Sequence, residues 1–262
     1  MSEYQLRFGG IERLYGKAGA QVIKNAHVCV IGIGGVGSWV AESLARSGVN
    51  QLTLIDLDDI CTTNTNRQIH ALTSSVGESK VEVMANRIRD INPDCIVNEI
   101  EDFITDENLF EHIDGRYDYL VDAIDSVKIK SAIIARCKRI KLPIVTIGGA
   151  GGQVDPTQIK VDDLSRTYQD PLLAKVRNQL RRDFNFPKNT KRKFRIDAVY
   201  STEQLVYPTN DGDICHAKQS NDGAMRLDCS GGFGAITNVT ASFAFFACSI
   251  VLKKLIKKHT TA

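Results

Sequence analysis

The sequence predicts an α/β fold: a doubly wound, mostly parallel Rossmann-like sheet with a C-terminal elaboration ending in a long helix. Three observations carry this expectation. Short apolar runs alternate with stretches of helical periodicity through the first half of the chain. The first run, Val28 to Gly32, leads into a glycine-rich turn and a helix. Acidic residues fall where the second and fourth runs end. Alternation of this kind is the β-α-β signature of a parallel sheet, whose ligands bind beyond the carboxyl ends of the strands.

Taken in order, strands are expected at Val28 to Gly32, Leu52 to Asp56, Cys95 to Ile100, Tyr119 to Ile124 and Ile144 to Ile147. Gly32, Gly34, Gly35 and Gly37 form a turn that lets backbone N–H groups approach a phosphate, with a helix from near Gly35 turning its positive end to the same place. Asp56 closes the second strand, where a carboxylate can accept both hydroxyls of a ribose. Lys80 to Asn92 reads as a helix, since Val81, Met84, Ile88 and Ile91 share one face and Asn92-Pro93 ends it. After Gly148-Gly149-Ala150-Gly151-Gly152 the texture changes. A strand pattern from Gln153 to Val161, a helical one from Tyr168 to Phe184, a basic loop and short strands around Ile196 to Val206 follow. A helix from about Phe233 to Lys258 closes the chain, its terminal lysines complementing the negative end of the helix dipole. The expected division is a nucleotide-binding domain over 1–150 and the elaboration over 151–262.

Composition excludes several classes. With 43% hydrophobic and 24% charged residues the chain reads as an ordinary globular protein, and a net charge of +2 is too small to imply a partner. Seven scattered cysteines without a C-x-x-C pair argue against a disulfide framework and a structural zinc, and for a reducing, cytoplasmic setting. The stretch Met1 to Arg7 lacks the apolar core of a signal peptide. Gly231 to Leu252 is apolar enough to suggest a membrane span, but Thr237, Asn238, Thr240, Ser242 and Ser249 interrupt it. A buried helix is therefore the expectation, and membrane association is not favoured.

The chemistry clusters after the second strand. Arg67 can form a fork to phosphate oxygens, Asn64 and Asn66 can donate to them, and Lys80 at a helix start can place a point charge on a leaving pyrophosphate. A nicotinamide needs no such cluster, whereas a polyphosphate about to be cleaved does. Asp125 ends the fourth strand facing the same crevice and can hold the magnesium that accompanies a triphosphate, while Asp122 points the other way and reads as structural. Asp58 and Asp59 read equally as site acids or as helix-starting acids. From Lys175 to Arg195 the chain carries Arg181, Arg182, Lys188, Lys191, Arg192, Lys193 and Arg195 among its cations against one acid, Asp183. Phe184, Phe186 and Phe194 interleave with them, a pattern that suits RNA phosphates and stacking on an unpaired base.

Gly32 to Gly37, Asp56, Asn64, Arg67-Gln68, Val76-Gly77 with Lys80, Asn92-Pro93 and Asp125 together resemble the adenylating domain of the ubiquitin-activating-enzyme superfamily. Within it the chain is similar, essentially end to end, to the tRNA threonylcarbamoyladenosine dehydratases. The residues that carry this are Arg7-Phe8-Gly9-Gly10, Thr62 to His70, Gly148 to Thr157 and Asp228-Cys229-Ser230-Gly231-Gly232-Phe233-Gly234. The resemblance implies an ATP-binding adenylating domain over 1–150 and ATP-dependent ring closure of N6-threonylcarbamoyladenosine in tRNA through an acyl-adenylate, with ATP and Mg2+. It also implies a homodimer, and auxiliary sulfur-transfer-system proteins as further partners. It gives the nucleotide roles to Gly35, Asp56, Asn64, Arg67, Lys80 and Asp125, and to Arg13, or alternatively Arg7, the role of an arginine inserted into the partner's site.

Two other readings remain. A sulfur-carrier-protein adenylyltransferase would share the crevice, although the two C-x-x-C pairs of many such enzymes are absent. A non-catalytic, nucleotide-regulated RNA-binding protein would leave Arg67 and Lys80 unexplained. Cys229 invites assignment as a nucleophile, yet in the implied reaction the attacking group already belongs to the activated molecule, so the thiol is expected to be dispensable.

Overall fold

A computed structural model describes residues 2–209, 211–216 and 233–260. Its elements are α1 (Glu3–Asn25), β1 (His27–Ile31), α2 (Gly37–Arg46), β2 (Gln51–Ile55), α3 (Lys80–Ile91), β3 (Ile96–Ile100), α4 (Leu109–His112), β4 (Tyr119–Asp122), α5 (Val127–Ile140) and β5 (Ile144–Ile147). They continue with β6 (Ile159–Asp163), α6 (Pro171–Asp183), β7 (Asp197–Ser201), β8 (Tyr207–Pro208), β9 (Ile214–Cys215) and α7 (Thr237–Thr260). A seven-stranded sheet in the order β3-β2-β1-β4-β5-β7-β6 is parallel except for β6, which pairs antiparallel with β7. β8 and β9 form a separate small hairpin.

Alternation along the strands divides the core between the two faces of the sheet. Val28, Val30, Leu52, Leu54 and Val121 pack with residues of α1, α2, α3 and α7, whereas Cys29, Ile31, Leu120, Ile144 and Ala198 pack with α4, α5 and α6. β1 is covered on both faces, and all of its residues are buried. The sheet runs across the expected boundary at residue 150, because β6 and β7 extend it and α7 packs beside α2 in the same core as β1.

The first five strands lie within a few residues of their expected positions. The main addition is α1, which begins with a capping box: Ser2 Oγ accepts the Gln5 N–H at 3.2 Å and Gln5 Oε1 accepts the Ser2 N–H at 2.8 Å. It is hard to read in sequence because Leu6 and Leu14 are exposed, Phe8, Gly19 and Ile23 are its buried residues, and the helix is broken at Gly16 with φ 72°. The strand expected from Gln153 begins only at Ile159. Asp155 and Glu203 carboxylates take up the backbone N–H groups of Val154, Asp155 and Thr157 before it. α6 starts at Pro171 rather than Tyr168, since Asp170 caps it by accepting the Leu173 N–H at 2.8 Å.

α7 is long and apolar enough by length and composition to cross a membrane. However, Val239, Phe243, Ala247, Val251 and Leu255 form a stripe buried within the core, so the apolar character of this face is accounted for by packing on the sheet.

Beneath the carboxyl end of β4 lies a buried ion pair. Lys130 Nζ donates to Asp122 Oδ2 at 2.8 Å, Thr146 Oγ1 donates to the same oxygen at 2.6 Å, and neither charged side chain is exposed. Asp122 is thus the structural acid that strand alternation implies. Lys130→Met is expected to lower the unfolding free energy by about 3–5 kcal/mol because it strands a buried carboxylate, and Asp122→Asn added to it should recover much of the loss. Urea denaturation of the two variants reads this directly; a single variant as stable as the wild type would show that the pair is not a buried charge pair.

His70 is 1% exposed and neither ring nitrogen has a hydrogen-bond partner; burial, with Lys80 and Arg87 nearby, holds its pKa down at about 4. Below about pH 6.5 the unfolded chain therefore takes up a proton that the folded chain refuses until about 4. Stability contributed by neutral His70 is lost as pH falls through that window. The carboxyls of Asp56 and Asp170, raised by burial, act in the opposite sense. Comparing thermal melts of His70→Leu and wild type isolates the imidazole, and the variant should lose less stability between pH 6.5 and 4.

Candidate active site

At the carboxyl ends of β1, β2, β4 and β5 opens a crevice of about 900 Å³. Its floor is the glycine turn between β1 and α2. Gly32 has φ 87°, and a Cβ at Gly37 would stand 1.7 Å from the Gly32 carbonyl oxygen, so α2 meets the strand at a distance only glycine allows. Asp56 follows β2 and borders the crevice; its Oδ2 accepts the Ile33 N–H at 2.6 Å and its Oδ1 the Asp58 N–H at 2.9 Å. Burial raises its carboxyl above the usual range, opposed by Lys80 and these two N–H groups.

Gly32, Gly34, Gly35, Asp56, Asn64, Asn66, Arg67, Lys80 and Asp125 meet in or around this one space, although they come from three different connections and the start of α3. Gly37 lies behind its floor. Lys80 is 5% exposed, and its Nζ donates to Asp58 Oδ2 at 2.7 Å. Asp58 thus borders the crevice facing Lys80, and no helix starts at it. Arg67 lies over Gly35, where a Cβ would come 3.3 Å from its side-chain carbons, and its Nη1 donates to Thr63 O at 2.8 Å and Asn66 Oδ1 at 3.0 Å. Asn64 Oδ1 accepts the Cys61 N–H at 3.0 Å, and the Asn66 amide nitrogen, expected at the phosphates, donates to Ala235 O at 2.8 Å. Asn66 therefore ties the loop to the approach of α7, and Thr237 N donates back to Asn66 O at 3.1 Å. Asp125 is exposed at the rim.

Some residues at the crevice are given no role by the sequence. Gln68 borders the crevice with a buried Oε1 that has no partner. Asp170 sits behind the opposite wall, where its Oδ2 accepts the Gly149 N–H at 3.0 Å and leaves no room for a Cβ at Gly148. A capping acid before Pro171 is the sequence signal for Asp170, but that signal points only to a helix start. Phe103, Ile104 and Leu172 supply apolar lining.

Other expected residues are placed elsewhere. Arg13 is exposed on α1 and Arg7 bonds Glu3 and, at 3.4 Å, Ile91 O; neither borders the crevice of its own chain. Arg181, Arg182, Lys188, Lys191, Arg192, Lys193 and Arg195 follow the chain away from the crevice to the amino-terminal end of β7. Of the aromatics among them, Phe184 is half-buried, whereas Phe186 and Phe194 do not present faces for stacking as expected: they are buried against each other, ring centroids 5.0 Å apart, and Arg181 lies over Phe194. Cys229 lies outside the described residues. Among the described residues no group of three His, Cys, Asp or Glu side chains is placed to hold a metal by itself.

The ThiF family model matches residues 9–262. The tRNA threonylcarbamoyladenosine dehydratase of Escherichia coli (strain K12) is 56% identical over 255 residues, covering 97% of this chain and 95% of that protein. The protein of the same name from Haemophilus influenzae is 54% identical over 263 residues, covering 99% and 97%. The crystal structure of E. coli tRNA N6-threonylcarbamoyladenosine dehydratase in complex with ATP superposes with a TM-score of 0.89 at 52% identity, covering 100% of this chain and 98% of the other. A glycine-floored crevice ringed by Arg67, Lys80 and Asp125, and sequence agreement that runs through nearly the whole chain, lead to one conclusion: the chain belongs to the ThiF family.

Proposed function

We infer that the chain catalyses the ATP-dependent dehydration of N6-threonylcarbamoyladenosine in tRNA to its cyclic form. The observation that carries this is the convergence of a glycine cradle, two cations and a carboxylate on one crevice of about 900 Å³, in a chain more than half identical to dehydratases of that name. The threonine carboxylate attacks the α-phosphorus of ATP, giving an acyl-adenylate and pyrophosphate. The ureido group of the same nucleoside then attacks the acyl carbon and AMP leaves with the carboxylate oxygen, so the net change in the nucleoside is loss of water.

The chain's own residues supply binding and charge. Gly32, Gly34 and Gly35 give backbone access to the phosphates, Gly37 lets α2 pack closely behind them, and Asp56 accepts from the ribose. Arg67 and Lys80 stabilise charge that builds on the phosphoryl oxygens and the departing pyrophosphate. For Lys80 this means exchanging the Asp58 carboxylate for a phosphate oxygen. Mg2+ needs few protein ligands when it arrives on a triphosphate, and Asp125 at the rim is the carboxylate suited to hold it, where it would neutralise phosphate charge. Arg13 is exposed and does not border its own crevice, which suits a role in the site of a second copy in a homodimer. A cytoplasmic site of action and contact with auxiliary sulfur-transfer proteins complete the reading. The absence of C-x-x-C pairs disfavours a sulfur-carrier adenylyltransferase, and the buried Lys80 disfavours a purely binding protein.

Nucleoside mass spectrometry of tRNA from a strain deleted for this gene tests the substrate: the cyclic nucleoside should be replaced by its open form, and an unchanged profile would refute the assignment. Arg67→Ala and Lys80→Ala should each reduce substrate-dependent pyrophosphate exchange at least about a hundredfold with the melting temperature little changed for Arg67→Ala. Full exchange in a folded variant would remove that residue from the mechanism. Cys229→Ser should retain most single-turnover cyclisation, because intramolecular attack can reach effective concentrations of about 10⁵ M without a covalent enzyme intermediate.

A further inference from the structure

We propose that the body of the tRNA, away from its modified nucleoside, is held by phosphate contacts along a basic track. The track leaves the crevice along α6, passes over the loop before β7 and ends in a groove at the opposite end of the sheet. This deepens the tRNA reading above and rests on it.

The groove has a volume of about 600 Å³ and lies where β4, β5 and β7 begin. Lys138 and Lys141 enter it from the end of α5, Arg195 from the loop before β7, and Lys254, Lys257 and Lys258 from the last turns of α7. Facing these cations are Asp118 and Asp197: Lys258 approaches Asp118 at 3.6 Å and Lys254 pairs with Asp197. The remaining excess is positive, and Lys138, whose Nζ donates to Phe194 O at 2.8 Å, is pushed below the usual lysine range by burial and by Arg195. An anion in the groove would relieve that repulsion.

α6 connects the two sites. Its first turn is at the crevice, which Leu172 lines and whose wall Asp170 fixes through Gly149, and its 13 residues carry the chain about 20 Å toward the groove end. Lys175 and Arg182 are exposed on it, and beyond it Lys188, Lys191, Arg192 and Lys193 are exposed in turn. Because Phe186 and Phe194 are buried beneath this loop and Phe184 is half-buried, what it offers is mainly charge. That chemistry matches the backbone of a structured RNA stem better than unpaired bases. A lipid surface is disfavoured, since none of the large exposed apolar side chains falls between Pro171 and Arg195.

The test compares full-length modified tRNA with an anticodon stem-loop carrying the same nucleoside, which lacks the rest of the tRNA body. In Lys141→Gln/Lys257→Gln/Lys258→Gln the KM for full-length tRNA should rise by about tenfold or more, and the slope of log affinity against log salt should flatten by about 2 to 3. Its kcat, its KM for the stem-loop and its thermal melt should match wild type. Lys191→Gln/Lys193→Gln, on the exposed loop of the same track, should show a smaller shift of the same kind and serves if the triple variant is unstable. Unchanged full-length KM and salt slope in a folded variant would overturn the proposal, as would an equal loss on the stem-loop. Binding to anionic vesicles that the triple variant loses, with tRNA parameters unmoved, would replace RNA by a membrane surface. Failure of the wild type to cyclise either RNA would instead remove the enzymatic reading and this proposal with it.

Discussion

The close approach of α2 to β1 is the constraint from which the site is built. At Gly37 a side chain would collide with the Gly32 carbonyl, and at Gly32 a Cβ would meet Ile124 and the Ala123 carbonyl at about 3 Å. Two bare positions therefore let a helix, its own strand and the end of β4 converge on one point. The rest of the crevice is referenced to that point by hydrogen bonds. Asp56 is held by the Ile33 N–H of the turn, and the Arg67 carbonyl oxygen accepts Trp39 Nε1 from α2 at 3.0 Å and Thr240 Oγ1 from α7 at 3.4 Å. Arg67 thus takes its position from two helices packed on the same face of the sheet, although it lies in a connection without long regular structure of its own.

Charge within the crevice is balanced by short-range partners. Lys80 is nearly buried at the start of α3, and Asp58, which returns to the α3 start by accepting the Lys80 N–H at its carbonyl at 3.1 Å, supplies the carboxylate that faces the ammonium. A polyphosphate competes with one exposed carboxylate for a cation already stripped of most of its water, so the binding energy depends less on fresh desolvation of the lysine. Asp56 shows the converse: burial disfavours its charge, and two backbone N–H groups hold the carboxylate oriented. Both cases place the cost of burial in the folded protein, ahead of ligand binding, which is the physical meaning of a preorganised site.

The two ends of the parallel sheet divide the labour. Carboxyl ends carry glycine turns and site acids, while the amino ends of β4, β5 and β7, with the ends of α5 and α7, carry an excess of cations. Cations there also complement the negative ends of α5 and α7. The same arrangement that stabilises helix termini therefore produces a positively charged surface remote from the chemistry, and α6 is the element that spans the distance.

Much of the fold was legible in the sequence because its signals are local. Buried parallel strands announce themselves as apolar runs; the turn at Gly32 to Gly37 admits no side chain; and α3 shows a clear apolar stripe ended by Asn92-Pro93. Residue types likewise drew attention to Asp56, Arg67, Lys80 and Asp125, which the structure brings to one crevice. What depends on tertiary structure was not legible. α1 buries too little of its surface to show a stripe, and Asp58 could be matched to Lys80 only once β2 and α3 were side by side. The phenylalanines of the basic run looked available for stacking because sequence spacing does not say which side of a loop is covered; the structure turns Phe186 and Phe194 inward. Sequence determines which groups a chain has to offer and the local conformations they prefer, whereas which of them face each other is decided by packing between segments distant along the chain, here α7 and α2 fixing Arg67, and α6 carrying the basic run to the far end of the sheet.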